Sequence, residues 1–388
     1  MPPFDRLEYD ERLRRTRERM AARGIDVLVV TDPANMNYLT GYDGWSFYTP
    51  QGVVVGIGGE TLLFTRLMDA NGARVTTFLG DDQILGFPDH YVQHRAKHPL
   101  DWVAARLVDR GLGSGTVALE LDSYYFTPRA YEALRAGLSA ATCIDSAELV
   151  NWVRAVKSDA EIAVMRQAAR IIERVMAVGL EHVRPGVRQC DAVAAIYDAQ
   201  VRGVDGYGGD YTSFVPMLPT GVGTSTPHLT WSDRPFVEGE ATILELGAAR
   251  HHYHVPMART AFLGTPPPKL VTTARVVAEG LEAALATVRP GVTCESIEAA
   301  WRAVITRHGL SKESRIGYSV GLNYPPDWGE HTMSLRPGDT TVIEPNMTFH
   351  VILGMWMDDW GYELSETFRV TPEGAECLCT FPRQLFVT

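Results

Sequence analysis

Apolar and polar positions divide the chain into short strand-like runs and longer helical patterns. Residues 9–23 are charged, with apolar positions at helical spacing, and the pattern stops at Gly24. Residues 25–31 (IDVLVVT) then read as a buried strand, which Asp32-Pro33 breaks. Further strand-like runs lie at 52–58, 60–64 and 116–121, with helical patterns near 99–109 and 128–137. Strands alternating with helices predict a small α/β domain. A long helical pattern opens at Ser158, where Ser158-Asp-Ala-Glu161 has the form of a capping box: the serine hydroxyl accepts from a free backbone N–H while the glutamate reaches back. The helix is expected to run to about Val183 and to end before Pro185-Gly186. The domain boundary is placed just before it, near 153–157, giving domains 1–155 and 156–388.

The second domain carries an internal echo. Val183-Arg-Pro-Gly-Val187 closes one helical pattern and precedes another at 190–201, and Val288-Arg-Pro-Gly-Val292 does the same before 294–308, an offset of 105 residues. Pro-Gly is a common helix stop, but helix, turn, helix and strands in the same order twice predict two similar halves about a pseudo-two-fold axis.

Bulk properties narrow the function only a little. A chain of 388 residues with 45% hydrophobic and 21% charged content is an ordinary globular protein of two domains. The formal charge of −11 argues against nucleic-acid binding, which calls for a basic face. No apolar run is long enough to span a membrane, and the charged N-terminus shows no apolar signal core, so a cytoplasmic location is expected. The five cysteines are few and scattered, and reduced thiols account for them most simply.

The chemistry concentrates in residues 241–260, ATILELGAARHHYHVPMART. An acid ending an apolar run, Glu245, is followed eleven residues later by Pro256, just before Ala258-Arg259-Thr260. Together with the Lys157-Ser158 helix start and a closing strand Glu363-Leu-Ser-Glu366-Thr-Phe-Arg-Val-Thr371, this resembles the "pita-bread" M24 hydrolases: the methionine and proline aminopeptidases, prolidase and metal-free creatinase. The resemblance implies an N-terminal creatinase-like α/β domain followed by a pita-bread domain, in all a mixed α/β (α+β) fold, with a homodimer as the expected assembly. Peptidase members hold two metal ions with five ligands. Here the resemblance matches those positions to Glu245, Pro256, Tyr318 (in Gly317-Tyr318-Ser319-Val320-Gly321), Ile352 and Glu366. Proline and isoleucine offer no side-chain donor, and two carboxylates cannot build a two-metal centre. No metal and no cofactor is therefore expected, which places the chain in the metal-free branch.

Two acids facing one pocket, Glu245 and Glu366, cannot both ionise cheaply unless a cation sits between them, which suits a cationic substrate. His228, in Gly223-Thr-Ser-Thr-Pro-His228, matches the histidine the family places over the substrate and suits proton transfer. His350 precedes Ile352 by two on a predicted strand and so shares its face; a packed core histidine is the alternative. Tyr318 could donate a hydrogen bond from the lost histidine's position. His251, His252 and His254 read as loop or surface residues. Trp45, Phe47 and Tyr48 form an aromatic cluster, and Trp328 is a second aromatic wall; either could cover a small cation, or could be core packing.

Within the metal-free branch, Gly208-Gly-Asp210-Tyr211, the run from Pro227 through His228 to Pro235, Tyr324-Pro-Pro-Asp-Trp328-Gly-Glu330 and Met347-Thr-Phe-His350 are similar to the ectoine hydrolases. The resemblance implies hydrolytic ring opening of ectoine, a cyclic amidine carrying a carboxylate, to N-acetyl-L-2,4-diaminobutyrate. Glu245 would act as nucleophile or as base for water, with Glu366 holding the amidinium, and Asp210 and Tyr211 would join the aromatic residues as substrate contacts. Hydroxyectoine as a substrate is left open. The rival readings are a creatinase-like amidinohydrolase, a metallopeptidase of the Xaa-Pro type, and a non-catalytic binding module.

Overall fold

The computed structural model describes residues 2–388, which divide into two units, residues 2–154 and Ala155–Thr388. The first unit runs α1 (Arg6–Ala22), β1 (Val27–Val30), α2 (Pro33–Thr40), β2 (Gly52–Gly56), β3 (Thr61–Arg66), α3 (Ala70–Thr76), β4 (Ile84–Phe87), α4 (Pro99–Asp109), β5 (Ser114–Leu119), α5 (Pro128–Gly137), β6 (Ala140–Asp145) and α6 (Leu149–Arg154). Its six strands form one mixed sheet in the order β4-β3-β2-β1-β5-β6. β1 is buried along its whole length, as its unbroken VLVV run requires, and pairs antiparallel with β2 and parallel with β5. One face of the sheet packs against α4 and α5 through Leu100, Val103, Leu107, Ala130 and Leu134. The buried Glu120 at the end of β5 accepts hydrogen bonds from the backbone N–H groups of Thr31 and Asp32 and from Asn35 Nδ2, at 2.7–2.8 Å. These donors hold an acid that could not otherwise be buried.

The second unit opens with α7 (Asp159–His182). Its capping box forms as the spacing requires: Ser158 Oγ accepts from Glu161 N at 3.2 Å, and Glu161 Oε2 accepts from Ser158 N at 2.8 Å. There follow α8 (Gln189–Arg202), β7 (Ala241–Arg250), β8 (Tyr253–Phe262), α9 (Pro268–Thr287), α10 (Cys294–Arg307), β9 (Gly317–Val320), β10 (Gly329–Leu335), β11 (Thr348–Trp356), β12 (Gly361–Thr371), β13 (Gly374–Cys377) and β14 (Phe386–Val387). A five-stranded sheet, β10-β9-β11-β12-β13, faces a three-stranded one, β14-β8-β7.

The two Arg-Pro-Gly-Val turns are structural equivalents. Gly186 and Gly291 both take left-handed φ, +86° and +90°, which suits glycine. Gly186 N donates to Phe236 O while Phe236 N donates to Val187 O; Gly291 N and Ile343 O, and Ile343 N and Val292 O, repeat the pair. Each half thus consists of two helices joined by this turn and followed by long antiparallel strands. Strands β8 and β12, one from each half, meet at the centre. Among the described residues no helix is long and apolar enough to cross a membrane.

Candidate active site

Glu245 lies mid-way along β7. The register sets Ala258 across from it and Pro256 across from Gly247, so residues 245, 247, 256 and 258 share one face. Glu245 is only 3% exposed. Burial pushes its carboxyl up to about 7, and no donor among the described residues offsets that.

β12 presents alternate residues to the same interior. Thr260 Oγ1 donates to Glu363 O and accepts from Glu363 N, both at 2.9 Å. Ala258 N donates to Ser365 Oγ at 2.7 Å, and Thr367 Oγ1 donates to Pro256 O at 2.8 Å. Residues 363, 365 and 367 therefore look toward β8. Glu363 is completely buried, with both carboxyl oxygens lacking a hydrogen-bond partner among the described residues. Desolvation and the neighbouring Glu245 raise its pKa well above the carboxylate range, while Lys312 opposes the shift.

β11 and β9 continue this face. His350 lies across from Thr367 on one side and Tyr318 on the other. Its Nε2 is 2.8 Å from Ser365 Oγ and its Nδ1 3.2 Å from the Tyr318 hydroxyl. Burial, assisted by Arg315, pushes His350 down to about 3, so the ring is neutral at neutral pH. The Tyr318 hydroxyl accepts from Trp328 Nε1 at 2.8 Å, and burial followed by the charge of Glu245 holds its proton on. The indole of Trp328 covers Gly247 so closely that a Cβ there would lie 2.7 Å from Trp328 Cζ3. Only glycine leaves room for the ring.

The structure thus gathers Glu245, Tyr318, His350 and Trp328, and adds Glu363 and Ser365. It does not gather Glu366. That residue lies across from Val351, on the opposite face of β12. Its Oε1 accepts from Arg259 Nη2 at 2.5 Å and from Arg383 Nε at 3.3 Å. Burial raises its pKa, and Arg259 and Arg383 pull it back. The expected pair Glu245/Glu366 is corrected to Glu245/Glu363. Strand periodicity assigns Ser365, one residue before Glu366, to the His350 face.

The remaining expected residues are described by their own surroundings. His228 is exposed on the loop after the short helix Gly221–Ser225. Asp210 Oδ2 accepts from His252 N at 3.3 Å, and the Tyr211 ring packs on His252 and Tyr324, so both brace the β7–β8 turn. Trp45, Phe47 and Tyr48 belong to the first unit, where Phe47 packs on Trp45 and Tyr125. Trp45 and Tyr48 are 67% and 58% exposed, so they are not core packing. Of His251, His252 and His254, expected as loop or surface residues, the first two form the β7–β8 turn, and the expectation is corrected for His254, which lies in β8. His252 is buried and stacks on Tyr324. His254 is buried too: Nε2 accepts from Ser213 N and Nδ1 donates to His252 O, both at 2.8 Å, which fixes its tautomer and occupies both nitrogens.

Comparison with known proteins places this geometry. Residues 163–372 match metallopeptidase family M24, and residues 12–156 match the creatinase/prolidase N-terminal domain. The chain belongs to the creatinase/prolidase group of family M24. It is 46% identical to the ectoine hydrolase of Halomonas elongata, over 99% of this chain and 98% of that one. It is 43% identical to an uncharacterized hydrolase/peptidase of Sinorhizobium fredii, again over 99% and 98%. In fold it is similar to the prolidase of Thermococcus sibiricus (TM-score 0.84, 18% identity, 98% of this chain and 99% of that one) and to the Xaa-Pro dipeptidase of Bacillus anthracis (TM-score 0.81, 23% identity, 98% and 100%). The second unit is the pita-bread catalytic domain of an M24 hydrolase, and the first is its creatinase-type companion.

The family name raises the question of metal. The side chains present do not fit a two-metal centre. Pro256 and Ile352 carry no donor atom, Tyr318 is engaged by Trp328 and His350, and Ser365 is engaged by Ala258 N and His350. Among the described residues, no group of three or more His, Cys, Asp or Glu side chains is arranged to hold a metal ion.

Proposed function

We propose that this M24 hydrolase opens the ring of ectoine by hydrolysing its amidine C–N bond, without a metal, to give N-acetyl-L-2,4-diaminobutyrate. The observation that carries the reading is the donor set around Glu245: a carboxylate kept where a proline, a tyrosine and an isoleucine stand in place of metal ligands. The full-length similarity to the ectoine hydrolase of Halomonas elongata supports the choice of substrate. An amidinium is planar and cationic, and its central carbon is electrophilic without a Lewis acid. A desolvated Glu245 carboxylate attracts the cation strongly. Glu245 either attacks the amidinium carbon, forming an adduct that water then resolves, or removes a proton from an attacking water. In both routes the ring C–N bond breaks as its nitrogen takes a proton. The Tyr318 hydroxyl and the neutral His350 fix the floor of the site, and Trp328 offers an aromatic surface to the cation. His228 is the candidate carrier of that proton from its exposed loop.

A substrate panel tests the reading against its rivals. Ectoine, creatine and an Xaa-Pro dipeptide are each mixed with protein, with EDTA or with added Mn²⁺, and products are followed by chromatography. Turnover of ectoine alone, unaffected by EDTA, is the expected result. Creatine cleavage would move the assignment to an amidinohydrolase, and Mn²⁺-dependent dipeptide cleavage to a peptidase.

A further inference from the structure

The second acid of the site, Glu363, has an environment that few acids tolerate. It is completely buried, and neither carboxyl oxygen has a donor among the described residues. A fully buried carboxylate with no hydrogen bond is unfavourable by several kcal/mol, about the amount that drives such a group to keep its proton. Among the described residues, the cation near it, Lys312, does not supply the missing bond. Lys312 Nζ donates to Gly354 O at 2.7 Å and sits 3.9 Å above the Trp356 ring. Gly354 is the cross-strand neighbour of Glu363, so Lys312 packs beside the acid without hydrogen-bonding to it. Burial also brings the lysine down to about 8, which weakens it as a counter-ion. The other neighbours on this face are neutral: Thr260 is committed to the Glu363 backbone, and Ser365 to His350 and Ala258. Glu245 is the remaining charged group, and it faces Glu363 from β7. Of the two acids, Glu245 alone keeps any solvent exposure.

We propose that Glu363 is a positioning residue for Glu245: it stays a neutral, protonated acid, so that the pair carries one negative charge and that charge rests on Glu245. The kinetic half of this inference rests on the ectoine reading above; the charge state of Glu363 does not. A neutral acid at 363 places a polar group behind Glu245 without adding a second anion to a site built for one cation. A charged group there would hold the substrate cation too deep and would raise the proton affinity of Glu245.

Two measurements on the full-length, EDTA-treated protein test it. Infrared difference spectra at about pH 9, above the value of about 7 for Glu245, compare wild type with E363Q and E245Q. A carboxylic-acid C=O band present in wild type, kept in E245Q and lost in E363Q is expected. Loss of an ionised carboxylate band in E363Q instead would overturn the proposal, whatever the substrate. The second measurement is the acid limb of kcat/KM for ectoine in E363Q and E363L. With a neutral Glu363, the isosteric and polar Gln leaves the limb within about half a unit, and apolar Leu moves it up by about one unit, because Glu245 loses a polar neighbour. If Glu363 were ionised, both variants would remove a like charge and both limbs would move down. Absence of ectoine turnover in wild type would overturn the functional reading, while the infrared result would still decide the state of Glu363.

Discussion

The two faces of β12 each bury a glutamate, and they treat it in opposite ways. On one face Glu366 accepts from Arg259 and Arg383, and Arg259 in turn donates to the carbonyls of Ser365, Ala258 and Pro382. Every charge there has an opposite within reach. On the other face Glu245 and Glu363 have no donor among the described residues. A buried ion pair holds strands together and resists loss of either partner. A pair of acids without donors destabilises the fold, and such groups collect where a ligand completes them. The contrast separates an ion-paired acid from one without a donor within a span of four residues, 363 to 366.

The contrast can be broken at either end. The largest expected effect is on turnover: E245Q should lose ectoine hydrolysis by about a thousandfold while binding persists, measured by product formation and by calorimetry. Retained activity would remove Glu245 from the chemistry. On the other face, E366Q should destabilise the second unit by about 3 kcal/mol, because Arg259 is left buried with no opposing charge. Thermal melting checks this, and the pH dependence of whatever activity remains should not change.

Stability against pH sharpens the comparison further. The folded-state pKa of Glu245, about 7, lies above its ordinary 4.5, so the folded protein binds the extra proton between those values. Stability from this group is present below about pH 4.5 and is lost as pH rises through 7. E245Q cannot ionise, so at pH 8 it should be more stable than wild type, on the order of 3 kcal/mol, with the gap closing near pH 4. A gap that widens toward acid would contradict the placement of Glu245 in a desolvated site. The smallest effect concerns Ser365, whose hydroxyl links β8 to His350. S365A should lower kcat by about tenfold with little change in melting temperature, since it loosens the ring without unpairing a charge.

Much of this architecture is legible in the chain. The capping box at Ser158, the twin Arg-Pro-Gly-Val turns and the acid of β7 each depend on local residue types, and local rules read them. Short edge strands such as β4 and β6 are not visible, because Ile84–Phe87 and Ala140–Asp145 lack an alternating pattern. Which acid of β12 faces Glu245 is hidden for a related reason. Glu363, Ser365 and Glu366 stand close together in the sequence, and a one-residue shift in a strand reverses the face. Only the pairing of β12 with β11, and the bonds from Thr260 and Ala258, decide which side chains look inward. The burial of His252 is not visible either, because the tight turn at His251-His252, with φ of +49° and +61°, folds its ring back against Tyr324.

The most direct test of the account is proton NMR of ectoine mixed with EDTA-treated, dialysed protein. The account predicts that the ring signals give way to those of N-acetyl-L-2,4-diaminobutyrate at the rate seen before metal removal. An unchanged spectrum that converts only after Mn²⁺ or Zn²⁺ is added would contradict it, since Glu245 would then be serving a metal and not the substrate.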